Sequence, residues 1–85
     1  MQKFDYVITA KDGLHARPAG MLVKFAHGFK SEITVSYGEK SSSALKLMSL
    51  MAMCIKEGSK VTVEINGGDE IECAEKTRLF FEQNL

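Results

Sequence analysis

The stretch FDYVITAKDGLHARPAGMLVKFA, residues 4–26, indicates a strand followed by a helix, because the spacing of its apolar residues changes part-way along. At its start, apolar side chains recur at every second position, as in a half-buried β-strand: Phe4, Tyr6 and Ile8. A loop signal, Lys11-Asp12-Gly13, follows. Beyond it, apolar residues take the i, i+3, i+4, i+7 spacing of an amphipathic helix: Ala19, Leu22, Val23 and Ala26. The chain therefore opens with a strand that leads into a helix.

The same patterns predict five further elements. Alternation predicts strands over 33–37 and 61–65, with a short serine-rich strand near Lys40–Ser43 between them. A very apolar run predicts a short helix over 46–54. Asp69 is a good N-cap for a last helix, whose inward stripe would be Cys73, Ala74, Thr77, Phe80 and Phe81. The order β-α-β-β-α-β-α is typical of an α+β domain, with a four-stranded antiparallel sheet covered on one face by three helices.

The length and charge of the chain exclude several classes of protein. Its 85 residues suffice for one small core, so we expect a single domain over residues 1–85. Eleven Lys and Arg residues balance eleven Asp and Glu residues, which argues against a general nucleic-acid or lipid binder. The longest mostly apolar segment, Leu47–Ile55, is far shorter than the roughly 20 residues needed to span a bilayer. We expect a cytoplasmic monomer with no membrane insertion.

The cysteines and histidines do not form a ligand cluster. Cys54 and Cys73 lie far apart and belong to no Cys-x-x-Cys pair, and His15 and His27 fall near opposite ends of one predicted helix. We therefore expect no metal and no cofactor. Both cysteines are predicted to be small buried side chains in a reducing compartment.

The zero net charge conceals a separation of charge along the chain. Residues 1–31 carry five cations and two anions, a balance of +3, whereas residues 69–85 carry two cations and five anions, a balance of −3. The acids of the last segment suit the first turns of a helix, where the helix dipole favours negative charge. The excess cations of the first segment predict a local positive surface that suits phosphate and acidic protein partners.

Chemistry is concentrated where the loop meets the first helix. His15 lies at or next to the N-cap, where the first backbone N–H groups of a helix have no intrahelical partner and attract anions. Arg17 adds a permanent cation whose planar geometry suits phosphate, and Pro18 stiffens the first turn. A neutral imidazole is a nucleophile, so His15 could accept a phosphoryl group that Ala16, Arg17 and Pro18 support. The alternative is that His15 merely replaces a capping residue while Arg17 is solvated.

The motif Gly13-Leu14-His15-Ala16-Arg17-Pro18-Ala19 resembles the active-site signature of HPr, the histidine-containing phosphocarrier family of the bacterial phosphoenolpyruvate:sugar phosphotransferase system. The length, the order of elements and the methionine-rich second helix are similar as well. The resemblance implies the open-faced β-sandwich of that family. It also implies that phosphorylated enzyme I transfers phosphate to Nδ1 of His15, that Arg17 attends the phosphate, and that sugar-specific acceptor domains receive it. Such a protein is a phosphoryl carrier and not an enzyme with its own turnover.

A carrier must dock several proteins, and two predicted helices offer apolar side chains for this purpose. Part of the 46–54 run must be core, namely Leu50, Met53 and Cys54, but the run holds more apolar residues than one inward face needs. Flexible methionine surfaces suit contact with unrelated partners. By resemblance to the family, the partner-docking face comprises Met21, Lys24, Leu47, Met48 and Met51. Lys24 could equally be an ordinary solvated lysine.

One position departs from the family pattern. Many HPr proteins carry a serine at the start of the second helix, and in many Gram-positive relatives an ATP-dependent kinase phosphorylates it. Lys46 occupies that position here, so the regulatory serine is absent, and Ser43 and Ser49 flank the position without aligning to it. We therefore expect this chain to be a poor substrate for such a kinase.

The sequence is also compatible with other functions. The same fold could serve a nitrogen-related or dihydroxyacetone-linked branch of the phosphorelay. It could also act as a regulatory module that binds partners without phosphate transfer, although loss of the active histidine would mark that class and His15 is present. A small enzyme or metal-binding domain is disfavoured because no second acid, base or ligand set accompanies His15.

Overall fold

A computed structural model describes all 85 residues and contains four strands and three helices in the predicted order. The elements are β1 Gln2–Val7, α1 Ala16–Ala26, β2 Glu32–Tyr37, β3 Lys40–Ser43, α2 Leu47–Ala52, β4 Lys60–Asn66 and α3 Glu70–Asn84. The sequence prediction of an α+β fold with an antiparallel four-stranded sheet is confirmed. None of the three helices has the length and apolar character required to cross a membrane.

The sheet has the strand order β1-β4-β2-β3, and all neighbouring strands are antiparallel. Val63 of β4 is paired with Phe4 of β1 on one side and Val35 of β2 on the other. These three side chains are buried, because alternate residues of each strand point toward the helices. The opposite face is polar, and there Thr62 Oγ1 donates a 2.7 Å hydrogen bond to Asp5. The three helices therefore cover one face of the sheet.

Each helix inserts at least one fully buried side chain into the core. Leu22 of α1, Leu50 of α2 and Phe81 of α3 are all at most 1% exposed. The ring of Phe81 packs edge-on against Phe4 and Tyr6 of β1, with ring centroids 6.0 and 5.6 Å apart. Aromatic pairs favour this geometry. The predicted inward stripe of the last helix is thus correct, with Cys73, Thr77 and Phe81 buried and Ala74 and Phe80 half-buried.

The prediction for Cys54 is wrong. The second helix ends at Ala52 instead of continuing to residue 54, and Cys54 follows in a left-handed conformation with φ +53°. The change of backbone direction exposes Cys54, whereas Leu50 and Met53 stay in the core as predicted. Cys73 is buried as expected, and that burial raises the pKa of its thiol.

Asp69 occupies the predicted N-cap position of α3, but its side chain does not cap that helix. Its carboxylate instead accepts hydrogen bonds from the Ser31 hydroxyl and from the backbone N–H groups of Ser31 and Lys30, at 2.9 and 3.1 Å for the two N–H groups. These bonds, with that of the Ser31 hydroxyl foremost, lower the pKa of Asp69. Asp69 therefore ties the start of α3 to the turn between α1 and β2.

Candidate functional site

His15 is the N-cap residue of α1, as the sequence predicted. Its backbone is extended (φ −89°, ψ −172°), and its carbonyl accepts the N–H of Ala19 at 3.0 Å. The imidazole makes no capping hydrogen bond and is exposed to solvent. The ring is therefore presented at the surface without a partner inside the chain, which argues against the alternative that His15 serves as a side-chain cap.

The loop that precedes His15 is fixed by close contact with the segment after α2. Gly13 has φ +66°, and any Cβ at this position would overlap the carbonyl of Ile55. That carbonyl accepts the N–H of Leu14 at 3.0 Å, and the Leu14 side chain is buried. Only glycine combines this backbone conformation with so close an approach. The motif glycine thus sets the position from which His15 projects.

A second anchor brings the end of α3 to the same loop. The backbone N–H groups of Thr9 and Ala10 both donate to the carbonyl of Leu85, at 2.5 and 2.8 Å. The Thr9 hydroxyl donates to the same oxygen at 3.2 Å, and the Leu85 side chain is buried. The last turn of α3 is therefore part of the surroundings of His15, although it lies about 70 residues away along the chain.

Two shallow depressions meet at His15. The first, of about 250 Å³, is lined by Ala10, His15, Arg17, Pro18, Met21, Gln83 and Asn84. The second, of about 290 Å³, is lined by Asp12, Leu14, His15, Met51, Cys54, Ile55 and Lys56. Sequence analysis placed Arg17, Pro18 and Met21 near His15 but missed the residues from α3 and from the α2–β4 connection. No local pattern marks them, because tertiary packing alone brings them to the site.

The first depression is suited to an anion. Ala19 supplies the first intrahelical N–H of α1, so the backbone N–H groups of Ala16 and Arg17 have no intrahelical partner. The first turn contains no acidic residue, and Arg17 is exposed there. The helix dipole and the guanidinium therefore both create a positive potential beside the imidazole, which favours an anion there. This arrangement can stabilise a phosphoryl group on His15.

The predicted docking residues lie on the surface of two neighbouring helices, α1 and α2. Met48 is 76% exposed, Met21 and Leu47 are also exposed, Lys24 is exposed and Met51 is half-buried. Met21 lines the first depression and Met51 the second, so this surface borders His15 on both sides. Leu45, just before α2, adds an exposed apolar side chain that the sequence analysis did not select.

Two other predicted residues do not join this cluster. His27 is the C-cap of α1, so the length of an 11-residue helix, about 16 Å, separates it from His15. Lys46 is the N-cap of α2 and is exposed, with no side-chain capping bond. No group of three or more His, Cys, Asp or Glu side chains is arranged to hold a metal ion.

Comparison with known proteins supports the assignment that the motif suggested. Residues 2–83 match the family described as PTS-HPr, PTS HPr component phosphorylation site. The chain belongs to the HPr family. It is 46% identical over 69 residues to the phosphocarrier protein HPr of Mycoplasma capricolum, which covers 81% of this chain and 78% of that protein. It is 43% identical over 75 residues to the HPr of Haemophilus influenzae, with 88% of each chain covered.

Solved HPr structures have the same fold. The structure of HPr-C-His from Thermoanaerobacter tengcongensis matches with a TM-score of 0.92 at 32% identity, over 99% of this chain and 94% of that one. The Crh protein of Bacillus subtilis, described as an intertwined dimer with a swapped domain, matches with a TM-score of 0.77 at 30% identity, over 100% and 98% of the two chains. A protein of this fold can thus form a dimer, and the monomer expected from the sequence stays a prediction.

Proposed function

We propose that His15 accepts a phosphoryl group from phosphorylated enzyme I, to which phosphoenolpyruvate supplied it, and passes it to sugar-specific acceptor domains. One observation carries this proposal: the exposed imidazole of His15, which makes no capping hydrogen bond, lies at the N-terminus of α1 beside Arg17. Membership of a phosphocarrier family supports a relay role, with no small-molecule turnover. It also supports a cytoplasmic location. Residues 1–85 then form a single phosphocarrier domain.

The transfer step uses groups that surround the His15 ring. The lone pair of Nδ1 forms the N–P bond, the electron pair of the broken bond to phosphorus leaves with the donor, and the proton on Nε2 stays on the ring. The negative charge of the transferred phosphoryl group lies close to the backbone N–H groups of Ala16 and Arg17 and to the Arg17 guanidinium. Donors that are already in place stabilise this charge without reorganisation, both in the transition state and in the product. Pro18, which is buried, holds the first turn rigid.

The partner proteins bind the apolar surface around the site. Met21, Leu47, Met48 and Met51 form its centre, and Lys24 supplies a cation at its edge. Unbranched thioether side chains can adjust to unrelated surfaces, so a single face can bind both enzyme I and several acceptor domains. Lys46, exposed at the start of α2, supplies a further cation that attracts acidic partners.

Labelling with phosphoenolpyruvate tests the proposal. With enzyme I, magnesium and labelled phosphoenolpyruvate, the wild-type chain should gain an acid-labile, alkali-stable phosphate. The label should be lost in His15→Ala and kept in His27→Ala, since His27 lies at the other end of α1. A wild-type chain that stays unlabelled in the presence of active enzyme I overturns the proposal.

A further inference from the structure

The depression that holds His15 and Arg17 also contains two amide side chains from the end of α3, Gln83 and Asn84. None of the seven residues that line this depression is acidic. Arg17 is therefore the only permanently charged side chain that lines it, and the amides add neutral donors. Neither amide was selected from the sequence, and the family motif at residues 13–19 does not include them.

The two amides differ in what they bind. Asn84 Nδ2 donates to the carbonyl of Phe80 at 2.9 Å, so this amide is already used to cover the C-terminal end of α3. The side chain of Gln83 is exposed and has no hydrogen-bond partner within the chain. Both N–H donors of the exposed Gln83 amide are therefore free for a ligand, whereas the half-buried Asn84 amide has one donor left.

The backbone around Gln83 is held firmly against the loop that carries His15. Leu85, two residues later, is buried, and its carbonyl accepts the N–H groups of Thr9 and Ala10. The N–H of Leu85 donates to the carbonyl of Phe81 at 2.7 Å. These bonds fix the last turn of α3 against the loop that precedes His15. The Gln83 amide is thus presented to the first depression by a fixed backbone.

We propose that Nε2 of Gln83 donates a hydrogen bond to the phosphoryl group carried by His15 and is a second side-chain ligand of that group beside Arg17. This inference rests on the proposed phosphorylation of His15. A neutral amide adds a donor without adding a charge, so it binds the phosphoryl group without blocking its onward transfer. Glutamate at the same position would place a like charge beside the phosphoryl group and weaken its binding.

The equilibrium constant of phosphate transfer from enzyme I distinguishes a residue that binds the phosphoryl group from a residue that only docks the partner. A residue that only contacts enzyme I changes the rates of the forward and reverse steps equally, so the equilibrium between phosphorylated enzyme I and phosphorylated carrier is unchanged. A ligand of the phosphoryl group exists only in the phosphorylated carrier and therefore shifts that equilibrium. Gln83→Met keeps the length of the side chain and removes the donor. The chain's other glutamine, Gln2, lies in β1, and Gln2→Met is the matched control.

The experiment measures this equilibrium constant for wild type, Gln83→Met, Gln83→Glu and Gln2→Met. We expect Gln83→Met to shift it about tenfold toward phosphorylated enzyme I, Gln83→Glu to shift it further and more strongly at low salt, and Gln2→Met to leave it unchanged. In the isolated wild-type protein, the side-chain amide NMR signal of Gln83 should move on phosphorylation. An equal constant in wild type and Gln83→Met, together with an unmoved amide signal, overturns the inference. A wild-type chain without label overturns the proposed function itself, which makes the two failures distinguishable.

Discussion

Ser31 and Asp69 are joined by two hydrogen bonds, one from the backbone N–H of Ser31 and one from its hydroxyl, both to the same carboxylate oxygen. Ser31 is buried and immediately precedes β2, and Asp69 immediately precedes α3. The pair therefore connects the two segments at the end of the molecule that α1 reaches with its C-terminus. His15 lies at the other end of that helix, so the pair does not touch the site.

The Ser31–Asp69 pair should make stability depend on pH. The pKa of Asp69 is lowered from its ordinary value of 3.8, first by the Ser31 hydroxyl, so the folded state favours the charged carboxylate. That contribution is present above about pH 4 and is lost as pH falls through the lowered value. We expect Asp69→Asn to be less stable than wild type at pH 7, with the difference closing in acid. Urea unfolding between pH 2 and pH 7 measures it.

Asp5 and Glu70 also have lowered pKa values, the first through the Thr62 hydroxyl and the second through the N-terminal ammonium group. Both groups remain in Asp69→Asn, so their contributions cancel when the two proteins are compared at each pH. A difference in unfolding free energy that stays constant from pH 2 to pH 7 would contradict the assigned role of Asp69.

Cys54 adopts a backbone conformation that glycine tolerates better. A left-handed conformation costs an L-residue roughly 1–2 kcal/mol, and Cys54 has φ +53° with an exposed side chain that offers little packing in return. We expect Cys54→Gly to raise the unfolding free energy by about 1 kcal/mol. Cys54→Ala, which keeps the Cβ, is the control and should give no such gain. Equal stabilities for the two variants would show that the backbone at residue 54 is not strained.

Substitutions at two residues of α2 should affect different properties: Leu50→Ala should lower stability, and Met48→Ala should weaken docking. Leu50 is fully buried, so Leu50→Ala should cost about 2–5 kcal/mol of unfolding free energy. Met48 is 76% exposed, so Met48→Ala should change stability by less than about 0.5 kcal/mol. Met48→Ala should nevertheless slow phosphate transfer from enzyme I, mainly through weaker binding. Unfolding curves and transfer rates measured on the same preparations test both statements, and an unchanged rate would remove Met48 from the docking face.

Lys46 should prevent regulation by a kinase that modifies the family's helix-start serine. We expect incubation with such a kinase and ATP to leave the wild-type chain without phosphoserine, although Ser43 and Ser49 lie nearby. Lys46→Ser restores an acceptor at the N-cap of α2 and should be phosphorylated. Mass spectrometry distinguishes the two results, and stoichiometric phosphoserine in the wild type would show that the prediction is wrong.

Local patterns predicted the parts of the molecule that depend on neighbouring residues. The change of period between Ile8 and Ala19 located β1 and α1, and the placement of His15 at the start of a helix followed from the same pattern. Cys54 was misjudged because the helix over 46–54 was expected to run two residues further than it does. The run of apolar residues gives no stop signal at Ala52.

Other features depend on tertiary contacts and have no local signature. Asp69 carries the expected N-cap residue type, yet its carboxylate binds Ser31, which is distant in sequence. Gln83 lies beside His15, and the carbonyl of Leu85, two residues later, binds the backbone of Thr9 and Ala10. Pairings of this kind follow from the packing of α3 on the sheet, which periodicity indicates only as a buried stripe.

A chase experiment tests the carrier role most directly. The chain is phosphorylated by enzyme I and labelled phosphoenolpyruvate, purified, and mixed with a sugar-specific acceptor domain from the same phosphotransferase system. We expect the label to leave His15 and to appear on the acceptor much faster than it is released to water without the acceptor. If His15 never gains the label, or loses it at the same rate with and without the acceptor, the chain is not a phosphoryl carrier.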